Sequence, residues 1–176
     1  LSSGTGGGAL PGGIGWYEKH FFVDKGERGK AVRITFDGVY MNSTVWINGQ
    51  ELGTRPYGYI SFTYDLTPYL RYGKDNVVVV KVDNSEQPNC RWYTGSGIYR
   101  HVWLETMHTL HLADNGVFVT TPEVSSDRAV VQVETTVENE SDQDRNALVA
   151  IGVGQMMVSV PAHQSKTVST SFVVKK

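Results

Sequence analysis

The sequence predicts an all-β protein built as two successive β-sandwiches. Three observations point to it. Apolar and polar side chains alternate over short runs, at residues 16–23, 31–36 and 98–104, and clusters of Gly, Pro, Asn and Asp separate the runs. Strands never alternate with long helices as a parallel barrel would require. From about Met107 the texture changes, with Phe118 and Phe172 the last two aromatic residues and valine dominant. That shift sets a domain boundary between residues 14–106 and 107–176, and 176 residues at 40% hydrophobic suffice for two small cores.

In chain order, residues 1–13 hold six glycines and read as a flexible lead-in. Residues 16–23 suit a strand with Trp16, Glu18 and His20 on one face and Tyr17, Lys19 and Phe21 on the other. A charged turn at 24–30 leads to a strand at 31–36, through Val32, Ile34 and Phe36. Asn48-Gly49 marks a hairpin, because a type I′ turn needs positive φ at both central positions; Val45, Ile47 and Leu52 flank it. The loop Arg55-Pro56-Tyr57-Gly58-Tyr59 offers two tyrosines to a ligand or to an adjoining domain, the second being the commoner use. Asp65 or Thr67 caps a short turn. The near-continuous apolar run 76–82 predicts a strand covered on both faces.

The polar loop after that strand runs into Arg91-Trp92-Tyr93-Thr94-Gly95-Ser96-Gly97-Ile98-Tyr99-Arg100-His101-Val102-Trp103-Leu104. Gly95 and Gly97 allow a tight loop, and Ile98, Val102 and Leu104 are expected to be buried in the strand that follows. A guanidinium beside aromatic faces suits a sugar, whose C–H groups stack on the rings while its hydroxyls accept from the fork. The same residues also suit a corner in which Trp and Arg merely pack. Asp83, Asn89, Arg91, Trp92 and Tyr93 form the candidate ligand-facing group, with Asp83 and Asn89 able to bond sugar hydroxyls or to cap the turn.

Gly12-Gly13-Ile14-Gly15-Trp16-Tyr17-Glu18-Lys19, Phe36-Asp37-Gly38-Val39-Tyr40 with Val45-Trp46-Ile47-Asn48-Gly49-Gln50, residues 62–67 with 76–82, and the Arg91 stretch together resemble the N-terminal sugar-binding domain of family 2 glycoside hydrolases. This is the β-galactosidase and β-glucuronidase family, and the form of the Arg91 loop is most similar to bacterial β-galactosidases. The resemblance implies a jelly-roll, galactose-binding-like sandwich followed by an immunoglobulin-like sandwich. Catalysis would then belong to two glutamates on a (β/α)₈ barrel beyond these domains, while the loop containing Asn89 and Tyr93 helps to hold the terminal sugar. Some family members bind sodium through an aspartate in this loop; Arg91 stands at that place, a departure that leaves a cation site in the full enzyme an open question.

Residues 116–121, 129–137, 147–153, 157–160 and 167–174 read as short strands at immunoglobulin-like spacing, without the Cys…Trp…Cys signature. About 70 residues remain for this domain against the roughly 100 of a typical one, so it is expected to lack its last strand or two. The start, Leu1-Ser2-Ser3-Gly4, has neither an initiator Met nor a charged segment before an apolar core, and leads us to expect an internal fragment. Compartment is therefore not legible.

No catalytic residue is expected in the chain. Asn139-Glu140 matches the family's Asn-Glu acid/base pair but lies in a hydrophilic stretch with no barrel around it, and reads as a solvated turn. Cys90 stands alone, which rules out an internal disulfide, and reads as a small packed hydrophobe. His108 and His111 lie close in sequence, but surface or packing roles are commoner than a shared metal; no metal or other cofactor is expected. With 16 basic and 18 acidic residues, a net charge of −2 gives no electrostatic reason to expect nucleic acid or an anionic membrane. No apolar run reaches the roughly 20 residues of a spanning helix. The expected partners are a carbohydrate and the enzyme's own barrel. Assembly with further copies of the chain stays open, as do two other readings, a stand-alone carbohydrate-binding module and a purely structural pair of sandwiches.

Overall fold

The computed structural model describes residues 13–86, 94–152 and 154–176. The protein is all-β, and its contacts divide it into two compact units between Thr106 and Met107.

In the first unit, β1 (Ile14–Val23), β7 (Lys74–Asp83), β4 (Ser43–Ile47) and β5 (Gln50–Arg55) form one antiparallel sheet in the order β1-β7-β4-β5. β6 (Phe62–Asp65), β2 (Ala31–Phe36) and β9 (Val102–Met107) form a second, and β3 (Val39–Tyr40) pairs with β8 (Gly97–Ile98). Ile34, Phe36 and Phe62 from the second sheet meet Val45, Ile47, Val78, Val80 and Val82 from the first in one core, closed by Val39 and Leu66. Side chains alternate across a strand, so one face of β7 is sealed in the core. Each such apolar side chain contributes about 1.5–3 kcal/mol on burial.

The expectation that residues 76–82 are covered on both faces holds for one face only. Val77, Val79 and Lys81 are half-buried, sharing the outer face with Glu18, His20 and the stacked pair Trp16 and Trp46, whose rings lie 5.7 Å apart. Val102 and Leu104, expected to be buried, are 42% and 47% exposed, in a strand whose residues from Val102 to Thr106 are exposed on both faces; alternation marks a strand without showing that anything covers it.

Polar side chains fix the turns. Asn48 and Gly49 have φ of 51° and 87°, the sign a type I′ hairpin requires. The Asn48 amide donates to Tyr69 O (2.9 Å) and Asn76 Oδ1 (2.8 Å), and its Oδ1 accepts from Val77 N (3.0 Å). Asn76, fully buried at the start of β7, also accepts from Arg71 N and donates to the carbonyls of Arg71 and Lys74. A buried amide of this kind is stable only because its bonding capacity is used.

In the second unit, β10 (Leu110–Val124), β11 (Arg128–Asn139) and β14 (Gln164–Lys175) form one sheet, and β12 (Arg145–Ile151) pairs with β13 (Gly154–Val160). Val137, Val149, Val158 and Val160 from the two sheets make its core. β10 breaks register with β11 between Leu112 and Val117 and again between Thr120 and Glu123. Asn139 is not part of a solvated turn. It is fully buried, donates to the carbonyls of Gln143, Val160 and Pro161 at 2.8–3.1 Å, and accepts from both the amide and the hydroxyl of Ser141. Among the described residues no helix is long and apolar enough to cross a membrane.

Candidate functional site

The strand β7 ends at Asp83 and β8 begins at Gly97, and both of these ends are tied to residues 39–42. Asp83 N donates to Met41 O (3.0 Å), and Asn42 Nδ2 donates to Asp83 O (3.1 Å). Beyond the segment, Gly97 and Ile98 pair with Tyr40 and Val39, and Tyr99 N donates to Gly38 O (3.3 Å). The described residues on either side of the Arg91 motif are therefore tied to the same stretch of chain.

Of the five candidate residues, Asn89, Arg91, Trp92 and Tyr93 lie outside the described residues, as does Cys90. Asp83 is described. Its Oδ1 accepts from Ser85 N (3.2 Å) and Ser85 Oγ (2.6 Å), and Lys81 Nζ stands 3.5 Å from Oδ2. The Ser85 hydrogen bonds, with a smaller contribution from Lys81, hold the Asp83 carboxyl below its ordinary range, as expected when donors favour the charged form. In this arrangement Asp83 caps the turn that starts the segment, an Asx pattern carried by a serine two residues on.

Gly97 is a position where glycine is required. Its φ is +93°, and a Cβ there would collide with the Tyr17 hydroxyl. Gly95, expected to serve the same purpose, has open space around it.

Next to this corner the sequence flagged Tyr57 and Tyr59, and the structure adds Tyr40 and Tyr99. The rings of Tyr40 and Tyr59 lie 5.2 Å apart and those of Tyr57 and Tyr59 5.7 Å. Tyr99 Oη donates to Gly58 O (2.7 Å), and Asn42 N to Pro56 O (3.2 Å), so the 56–59 loop is held against the same stretch as the ends of the Arg91 segment. Tyr57 and Tyr59 are exposed while Tyr40 is buried beneath them. Nothing in the sequence distinguished Tyr40 from the chain's other tyrosines. Side chains of the types that can ligate a metal come together elsewhere, at His111, Glu138 and Glu140 in the second unit.

The sequence model of the family described as glycosyl hydrolases family 2, sugar binding domain, matches residues 10–108. The chain is 60% identical over 147 residues to Beta-galactosidase BoGH2A of Bacteroides ovatus, covering 84% of this chain and 17% of that protein. It is 36% identical to a Beta-glucuronidase of Formosa agariphila, over 89% of this chain and 18% of that one. The crystal structure of a glycosyl hydrolase family 2 member from Bacteroides cellulosilyticus superposes with a TM-score of 0.84 at 37% identity, over 93% of this chain and 24% of that one. A β-sandwich with these relatives has the fold of the N-terminal part of such enzymes. The chain belongs to glycosyl hydrolase family 2. It spans less than a quarter of the length of each of these relatives.

Proposed function

We propose that the chain is the sugar-binding part of a family 2 glycoside hydrolase of the β-galactosidase kind, which cleaves terminal β-galactosides. It supports the catalytic barrel and contributes one loop to the pocket. Trp92 and Tyr93 stack on the C–H face of the terminal sugar, Arg91 donates to its hydroxyls, and Asn89 bonds them as donor or acceptor. Asp83 holds the base of the loop through Ser85. In the whole enzyme, glutamates of the barrel carry out retaining hydrolysis.

The observation that supports this reading is that the two described ends of the segment, Asp83 and Gly97, are both tied to residues 39–42. The 60% identity to a β-galactosidase supports galactoside over glucuronide. In the enzyme that contains this chain, Trp92→Ala is expected to raise KM for a nitrophenyl β-galactoside about tenfold with kcat little changed, a loss near 1.4 kcal/mol. An unchanged KM overturns the role of the loop, and faster turnover of the β-glucuronide than of the β-galactoside overturns the choice of sugar.

A second reading, a carbohydrate-binding module that acts alone, draws on the exposed Tyr57 and Tyr59. Calorimetry of the chain with methyl β-galactoside separates the two. Binding by the chain alone favours the module, and its absence favours a pocket shared with the barrel.

A further inference from the structure

Three side chains in the second unit converge without any part in the reading above. His111 on β10 lies directly opposite Glu138 on β11, and Glu140 N donates to Thr109 O (2.7 Å) as the pairing continues. Residues two apart on a strand share a face, so Glu138 and Glu140 both stand on the side of His111. One ligand atom from each of the three lies within 4.8 Å of the others.

The imidazole is the telling member. Its side chain is only 8% exposed, and His111 Nδ1 lies 2.9 Å from the backbone carbonyl of His108. A carbonyl only accepts, so Nδ1 carries the proton. His111 Nε2 is buried with no hydrogen-bond partner, and points into the cluster, 3.6 Å from Glu138 Oε2. Metal-bound histidines characteristically donate their other ring nitrogen to a backbone carbonyl or carboxylate, which fixes the tautomer and aims the lone pair. A tetrahedral ion with bonds of about 2.1 Å holds its ligands about 3.4 Å apart, close to the separation of Nε2 and Oε2.

The backbone that presents the carboxylates is rigid. Asn139, between them in sequence, points into the core and makes hydrogen bonds to Gln143, Val160, Pro161 and Ser141. Glu138 and Glu140 are thus held on the opposite face, as a site that binds without rearrangement requires.

We propose that His111, Glu138 and Glu140 bind a divalent transition-metal ion, Zn²⁺, through His111 Nε2 and one oxygen from each carboxylate. Two carboxylates match its charge, and the nitrogen donor favours Zn²⁺ over the hard cations Ca²⁺ and Mg²⁺, which take oxygen. Three protein ligands leave a fourth position for water. The ion would cross-link β10 to β11 at the start of the second unit.

The rival within the described residues is His20, which also has two carboxylate neighbours, Glu18 and Asp75. Both of its ring nitrogens are already hydrogen-bonded to them and the side chain is more than half exposed, so it offers no buried lone pair.

The test is calorimetric titration of the 176-residue chain with ZnCl₂, alongside His111→Gln, Glu140→Gln and His20→Gln. The expected result is a site lost or weakened at least tenfold in His111→Gln and in Glu140→Gln but unaltered in His20→Gln, with Ca²⁺ and Mg²⁺ far weaker. Zn²⁺ should also shift the ¹⁵N resonance of His111 Nε2 in the native chain, which keeps the proposal testable if His111→Gln does not fold. No Zn²⁺ binding, affinity unchanged in Glu140→Gln, or loss only in His20→Gln would each overturn it.

Discussion

The Tyr17 hydroxyl fills the place that a Cβ on Gly97 would take, so the first strand of the sandwich and the strand that begins at Gly97 meet closely at a residue without a side chain. Two effects oppose Gly97→Ala, the left-handed backbone at φ +93° and the collision with Tyr17. The backbone effect, about 1–2 kcal/mol for an L residue, is the larger, because the tip of a tyrosine ring can swing aside. Chemical denaturation of Gly97→Ala should show a loss of that size. Adding Tyr17→Ala should restore little of it; full restoration would mean that the collision dominates.

His20 makes stability fall as pH rises. Its hydrogen bond to Asp75, and then that to Glu18, raise its pKa above the ordinary 6.5. A group whose folded pKa is raised contributes fully below its unfolded pKa and loses that contribution as pH climbs through the folded value. Urea midpoints should therefore decline from about pH 6.5 upward. His20→Gln should flatten that decline. A mutant with the same pH profile as the native chain would remove His20 as its source.

Asp83 acts in the opposite direction. Its carboxyl is held below the ordinary 3.8, first by the Ser85 hydroxyl and backbone hydrogen bonds and then by Lys81. Its contribution is present above the unfolded pKa and is lost as pH falls through the lower folded value. Replacing Ser85 by Ala removes the hydroxyl bond, so the Asp83 titration followed by carboxyl ¹³C NMR should move upward. An unmoved titration would assign the depression to the backbone hydrogen bond from residue 85 and to Lys81.

Asn139→Ala removes the amide that donates to the carbonyls of Gln143, Val160 and Pro161 and takes an acceptor from Ser141. Gln143 O keeps the Ser141 hydroxyl and Pro161 O keeps Gln164 N, so the cost falls mainly on the buried Val160 carbonyl, and the loss should be about 1–3 kcal/mol, larger than for an exposed amide. A change below about 0.5 kcal/mol would show that water replaces the amide at no penalty.

Local backbone chemistry was legible in the sequence. Asn48-Gly49 announced its hairpin because few other pairs accept positive φ twice, and the alternation at 31–36 matched β2 residue for residue. Burial of polar groups was not legible. Asn76 and Asn139 stand where strands begin and end, so each looks like turn punctuation, and only the three-dimensional fold reveals the carbonyls that each gathers. Val102 and Leu104 failed for the converse reason: alternation identifies a strand but does not show whether a neighbour covers it. In the candidate site the sequence offered Asp83 two roles. The Ser85 bonds identify turn capping, a pattern readable from Asp83 and Ser85 alone.

The amide network around Asn48 also bears on how the protein ages chemically. Asparagine before glycine is the pair most prone to cyclise to a succinimide, because the following nitrogen reaches the side-chain carbon without steric hindrance, and such asparagines are thermolabile. At Asn48 the carboxamide is clamped by Tyr69, Asn76 and Val77 and resists the rotation that attack requires. Asn115-Gly116 repeats the pair in the register break of β10, with no side-chain hydrogen bond to Asn115 among the described residues. Deamidation on storage should therefore begin at Asn115, and peptide mapping would find the one-dalton gain there well before it appears at Asn48.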